Sequence, residues 1–239
     1  MTKFEALFGI KNTDIKANCI LLPIITKDIL SGFNIKNIPR GKLYGAANMD
    51  NCTLIHTGIG PAFTGDAVLY LKDTPCKNVI LFGSCGLVNE KSDMSIGSLV
   101  SPSICYSQES FTDMLLKAEK KQRAFYPDKK LFENFLNFNE TAVLKKAACS
   151  TIASLKLEED MVDFFIENRI DVVDMECSAF FSSADFSGLK ATALFYISDV
   201  IKKAPFYQDL NQPLRKNISI SINNASRQLC KFIKMKLSV

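Results

Sequence analysis

Several short apolar, β-branched runs along the 239-residue chain end in glycine or a small polar residue and give way to stretches with helical spacing. Residues 18–24 (NCILLPI), 52–57 (CTLIHT), 78–82 (NVILF), 97–102 (GSLVSP), 171–175 (DVVDM) and 191–197 (ATALFYI) read as strands. Most are continuously apolar rather than alternating, the mark of strands covered on both faces. Between them, 62–72, 158–167 and 177–186 carry apolar spacing suited to helices, and the tail 211–236 reads as a further helix. Residues 41–48 look like part of a hairpin, which makes the expected sheet mixed. This alternation predicts an α/β fold, and with no linker or repeat to divide it, 1–239 is read as a single domain.

Composition narrows the setting. An apolar fraction of 47% and a charged fraction of 23% are those of a globular chain with ample core material. The net charge of +4 is spread out, and short clusters such as 120–123 read as solvated faces, which argues against a nucleic-acid partner. None of the eight cysteines forms a C-x-x-C pair, so they are read as reduced thiols of a cytoplasmic protein. The longest uninterrupted apolar run, 20–25, is too short for a membrane span, and neither a signal segment nor a membrane partner is expected.

Ligands of open α/β sheets gather outside the carboxyl ends of strands, where loops and helix amino termini present unpaired N–H groups. Three such places carry chemistry. Gly83-Ser84-Cys85-Gly86 offers close backbone approach and a hydroxyl donor to an oxyanion, with a plain tight turn as the competing reading; it lacks the lysine of a P-loop. Asp174-Met175-Glu176 projects carboxylates that can accept from vicinal ribose hydroxyls, or else satisfies the amino end of the next helix. Ser198-Asp199 places an acid at the end of a strongly apolar strand, suited to protonating a nitrogen of a departing heterocycle, or to capping a helix. His56 is the only histidine; with no metal-ligand spacing around it, no metal is expected and a strand residue with a satisfied imidazole is.

The ordered set GIG (58–60), GSCG (83–86), VVDME (172–176) and SDV (198–200) resembles the nucleoside phosphorylase and nucleosidase superfamily, which includes purine nucleoside phosphorylases, uridine phosphorylases and methylthioadenosine nucleosidases. The resemblance implies a mixed, twisted central sheet flanked by helices, as a three-layer sandwich. It implies a pentosyltransferase or N-glycosyl hydrolase that cleaves the glycosidic bond of a purine-type nucleoside in salvage, with no cofactor beyond phosphate as co-substrate. By resemblance Asp199 is the catalytic acid, Met175, Glu176 and Ile59 contact ribose, and Cys85, Gly86, Val173, Ser198 and Asp199 form the base pocket. Ser84, Arg40 and Lys27 are the corresponding phosphate contacts, with Arg40 expected to reach across a subunit interface of a homo-oligomer, a dimer or a hexamer.

The sequence also departs from the pattern. Ile24 and Leu81 stand where phosphorylases of this type keep phosphate-site residues, Leu81 where an arginine is usual, and 148–152 (ACSTI) has no aromatic to stack on a base. Asp28 lies near the position of the water-activating carboxylate of nucleosidases. The resemblance therefore leans to phosphate as nucleophile, with water as the alternative and a non-catalytic nucleoside-binding protein as a second. Arg215 is a candidate to close on Asp199.

Overall fold

The computed structural model describes residues 1–90, 93–117, 123–138 and 142–237; of the basic cluster 120–123, all but Arg123 lies outside them. Among the described residues nine strands form one mixed sheet: β1 Asn18–Leu22, β2 Gly45–Asn48, β3 Thr53–His56, β4 Asn78–Leu87, β5 Leu99–Gln108, β6 Ala124–Phe125, β7 Leu144–Ile152, β8 Val172–Asp174 and β9 Lys190–Val200. The helices among the described residues are α1 Lys3–Phe8, α2 Lys27–Gly32, α3 Pro61–Leu71, α4 Phe111–Leu115, α5 Lys129–Leu136, α6 Leu155–Glu158, α7 Val162–Glu167, α8 Cys177–Ser187 and α9 Gln212–Phe232.

The near-continuous apolar strands divide cleanly by residue parity, because successive side chains point to opposite faces. Cys19 and Leu21, Val79 and Leu81, Ala193 and Phe195 pack with Val68 and Leu71 of α3 and Phe180 and Phe181 of α8. Their alternates Ile20 and Leu22, Ile80 and Phe82, Leu194 and Tyr196 pack with Ile29 of α2, Phe135 of α5 and Leu229 and Phe232 of α9. The sheet is thus sandwiched between two helical layers, as the resemblance implies. Burial of α8 along residues 177–184, with serine and alanine at 182–184, lets it lie close to α3.

Strand order is β2-β3-β1-β4-β8-β7-β5-β6, and β9 pairs with both β4 and β5. The strands β4, β8, β7, β5 and β9 therefore close into a ring. Two features of this ring depart from the sequence reading. The GSCG segment is not a turn after the third strand but lies inside β4, and Ser198-Asp199 lies inside β9 rather than beyond it. Glycine and small residues at 83–86 suggested a loop, yet ten-residue pairing to β9 carries the chain straight through. Strand β7 escaped the sequence reading because Lys145 and Lys146 interrupt its apolar pattern on a half-exposed stretch. The region 158–167 is also broken, into α6, a 3-10 turn over Glu159–Met161 and α7.

Residues 40–45 form a tight loop tied to α1 by Leu43 and Tyr44 N–H donation to Leu7 O. A Cβ on Gly41 would meet the backbone of Leu7 and come within 2.5 Å of Gly9 N, atoms that cannot move aside. Gly41→Ala is expected to destabilise the fold by about 3 kcal/mol, the upper range of core overpacking, read as a lowered midpoint in urea unfolding.

Candidate functional site

A cavity of about 200 Å³ opens where β1, β4, β7, β8 and β9 end. Its position follows from pairing along β4. On one side β4 is bonded to β9 throughout; on the other, β1 accompanies it only to Leu81 and β8 joins only at Gly86. No strand pairs with that side between these points, and the cavity fills the gap, against Ser84, Cys85 and Gly86.

Glu176 forms the floor. It is 5% exposed, and its Oε1 accepts the Gly60 N–H at 2.7 Å. Gly60 presents that N–H from a backbone with φ of +115°, open to glycine and strained for other residues, at the amino end of α3. Burial pushes Glu176 up to about 7, against the opposing Gly60 and Met175 N–H groups. The neighbouring Asp174 has a different task. It accepts from the N–H groups of Glu176 (2.9 Å) and Cys177 (2.6 Å) and from the Thr151 hydroxyl (2.5 Å), so it caps α8. Thr151 Oγ1 also accepts the Ser178 N–H at 2.9 Å, and the Ser178 hydroxyl donates to Glu109 at 2.9 Å, which stiffens the floor from behind. The helix-end reading of the motif therefore holds for Asp174, while Glu176 is left facing the cavity.

Asp199 reaches the same cavity from β9. The β4–β9 register pairs Cys85 with Ile197 and Gly86 with Asp199, so Ser198 is a bulge that turns Asp199 inward. The helix-cap reading of Asp199 is excluded, because it sits in a strand. Burial raises its carboxyl above the ordinary aspartate range, opposed by the Ser198 hydroxyl and the Phe206 N–H. Arg215 does not approach it; its guanidinium pairs with Asp209 at 2.5 Å and donates to Leu210 O.

Of the residues singled out in the sequence, Asp199, Met175, Glu176, Ile59, Ser84, Cys85, Gly86, Val173 and Ser198 all line this cavity. Lys27, Asp28 and Arg40 do not. Thr26 Oγ1 accepts the Ile29 N–H at 3.2 Å and starts α2 at once, which leaves Lys27 exposed at the surface. Arg40 is exposed, bridged through its backbone to Gly45, and its charge lowers the His56 pKa, behind the larger effect of burial. His56 lies on β3 as expected, but its buried Nδ1 has no partner, so its imidazole is only partly satisfied. Asp28 acts on the cavity wall indirectly, its charge raising a Tyr196 hydroxyl that the Ser84 hydroxyl also contacts, although burial dominates that shift. Among the described residues, no lysine or arginine lines the cavity.

Four lining residues were missed in sequence: Pro23, Leu155, Phe206 and Glu158. Glu158 belongs to the acidic run 158–160, which reads as a solvated helix face, yet it is 7% exposed. The clue was the following apolar spacing, which places one member of any such run inward. Ile152 lines the cavity where an aromatic was sought, while Ser154 caps α6. Ile24 also borders it, and Leu81 is sealed in the core. The buried trio Cys105, Cys149 and Cys177 holds its sulfurs within 4.8 Å of one another behind the floor, and all eight cysteines are free thiols. No helix among the described residues is long and apolar enough to cross a membrane.

A family model described as the phosphorylase superfamily matches residues 33–234. A search of curated proteins finds no significant match. Among solved structures, uridine phosphorylase from Vibrio fischeri ES114 superposes with a TM-score of 0.74 at 18% identity, covering 93% of this chain and 94% of that one. The 5'-methylthioadenosine/S-adenosyl homocysteine nucleosidase of Campylobacter jejuni gives 0.71 at 14% identity, covering 91% and 97%. AMP nucleosidase from Bacteroides thetaiotaomicron VPI-5482 gives 0.70 at 16% identity, covering 95% and 94%.

Proposed function

Because the chain belongs to the phosphorylase superfamily, we propose that it cleaves the N-glycosidic bond of a purine-type nucleoside, with Glu176 gripping the ribose and Asp199 protonating the departing base. The observation that carries this reading is the placement of the two acids in the lining of one cavity, each from a different element and held by its own device: the Gly60 N–H for Glu176 and the Ser198 bulge for Asp199.

Bond cleavage leaves an oxocarbenium-like sugar and a base gathering negative charge. The Glu176 carboxylate accepts from the 2'- and 3'-hydroxyls and lies close enough to favour positive charge on the sugar ring. Asp199, raised by burial, carries the proton that neutralises the base. Met175 and Ile59 pack beside the sugar, and Cys85, Gly86, Val173 and Ile152 wall the base.

The lining favours water as the nucleophile. A phosphate dianion entering beside the Glu176 carboxylate gains no neutralising cation from the described lining residues, and like charges in a poorly solvated site repel strongly. Phosphate is the second reading, favoured by Ser84 on the cavity wall and by Arg40 if a neighbouring subunit supplies it; a homo-oligomer belongs to that reading. The test is a panel of nucleosides incubated with and without phosphate. Free base and free ribose at equal rates in both are expected; ribose 1-phosphate formed only with phosphate establishes the second reading. Tight nucleoside binding with no cleavage makes the chain a nucleoside-binding protein.

A further inference from the structure

Glu158 has no part in the chemistry described so far, yet it is more than nine-tenths buried, lines the cavity, and makes no hydrogen bond among the described residues. Its position relative to Asp199 is fixed by one glycine. A Cβ built on Gly86 would lie 3.1 Å from Glu158 Oε1 and 3.3 Å from Asp199 Oδ2, so both carboxyl groups close over the same point on β4. The surroundings of this pair are acidic. Asp174 acts on the same Cys85 thiol as Asp199 and Glu158 do, Glu176 stands on the floor, and Glu159 follows in the 3-10 turn with its Oε1 accepting the Tyr207 hydroxyl at 2.9 Å. The nearby cations are engaged elsewhere: Lys203 with Glu90 at 2.9 Å, Lys202 with Asp163 at 4.0 Å, and Arg215 with Asp209.

Two carboxylates in one poorly hydrated space do not both ionise readily; the first loses its proton and its charge holds the second proton in place. We infer that Glu158 and Asp199 share one proton across Gly86, with Glu158 the positioning residue that keeps this proton within the pair, available to Asp199, until the base departs. The inference rests on the assignment of Asp199 as the acid. As the C–N bond breaks, its electron pair passes to the base, the proton of the pair moves through Asp199 to a ring nitrogen, and both carboxyl groups are left ionised. The attacking water releases a proton as it adds to the sugar, and the pair regains one from solvent after product leaves. Burial and the Asp199 charge, together with a smaller push from Glu159, raise Glu158 to about 7. The pair therefore keeps its proton in the range where an isolated carboxylic acid has lost it.

The test is the isosteric variant Glu158→Gln, followed by kcat/KM against pH and by carboxyl-carbon NMR titration. Without Glu158 the shared proton is held by Asp199 alone and is lost earlier, so the alkaline limb of the profile is expected to fall by at least one pH unit. Activity at pH 8 then drops about tenfold, with near-normal activity at pH 5.5 and an unchanged KM. An equal loss at every pH marks Glu158 as a packing or base-contact residue and overturns the inference. The titration is independent of turnover. In the wild type one carboxyl of the pair is expected to titrate near neutrality, and in Asp199→Asn the Glu158 carboxyl is expected to fall toward the ordinary glutamate range; no movement overturns the inference. If no nucleoside is cleaved at all, the functional reading fails while the titration still decides the pair.

Discussion

Asp199→Asn is expected to lower kcat by about 100- to 10,000-fold, the usual contribution of a positioned general acid, with little change in KM or in the thermal midpoint. Asparagine fills the same volume and its carboxamide oxygen still accepts from the Ser198 hydroxyl and the Phe206 N–H, the two donors that face the native side chain. What it loses is the transferable proton. The measurement is steady-state turnover of a nucleoside with an unactivated purine, set beside one whose leaving base is already cationic. The cationic base needs no acid, so the variant is expected to retain most of its rate there. Equal losses on both substrates would remove Asp199 from the acid role.

The second large effect is expected at the floor. Glu176→Gln keeps an oxygen for the Gly60 N–H but replaces the other acceptor by a donor, which cannot receive a ribose hydroxyl. A lost charge-assisted hydrogen bond amounts to about 1.5–3 kcal/mol, so kcat/KM for a ribonucleoside is expected to fall by about 10- to 150-fold. The 2'-deoxynucleoside lacks one of the hydroxyls, so its rate falls less and discrimination between the two sugars shrinks. Unchanged discrimination in the variant would place the ribose elsewhere. The fold survives the change, because Asp174 rather than Glu176 caps α8.

The sequence made the layers and the two inward acids legible because both depend on local pattern. Apolar runs such as 171–175 and 191–197 announce buried strands, and an acid within two residues of their ends has few reasons to be there. It concealed what long-range pairing decides. Gly83 to Gly86 reads as a turn until β9 is known to run beside it for ten residues, and Ser198 is recognisable as a bulge only once its partner strand is in register. Glu158 was hidden by its own neighbours, since Glu159 and Asp160 in the same run are far less buried and dominate its appearance. Lys27 and Arg40 carry charge whose place local pattern does not decide. The early start of α2 leaves Lys27 off this cavity, and the bridge at Gly45 holds Arg40 off this protomer's own cavity, as expected of a residue that reaches across to a neighbouring subunit.

The closed circuit of β4, β8, β7, β5 and β9 also governs how a molecule enters and leaves. A ring of paired strands has no end from which to unzip, so parting β8, which leads into Glu176, from β9, which carries Asp199, means breaking a ladder on each side of the ring together. Opening is expected at the rim, where Ile59, Leu155 and Phe206 are 51%, 41% and 56% exposed and belong to no strand of the ring. Exchange of substrate and product is then a matter of three apolar side chains and short connecting segments swinging aside over a floor that stays put, and traffic through that doorway can slow without any change in the chemistry beneath it.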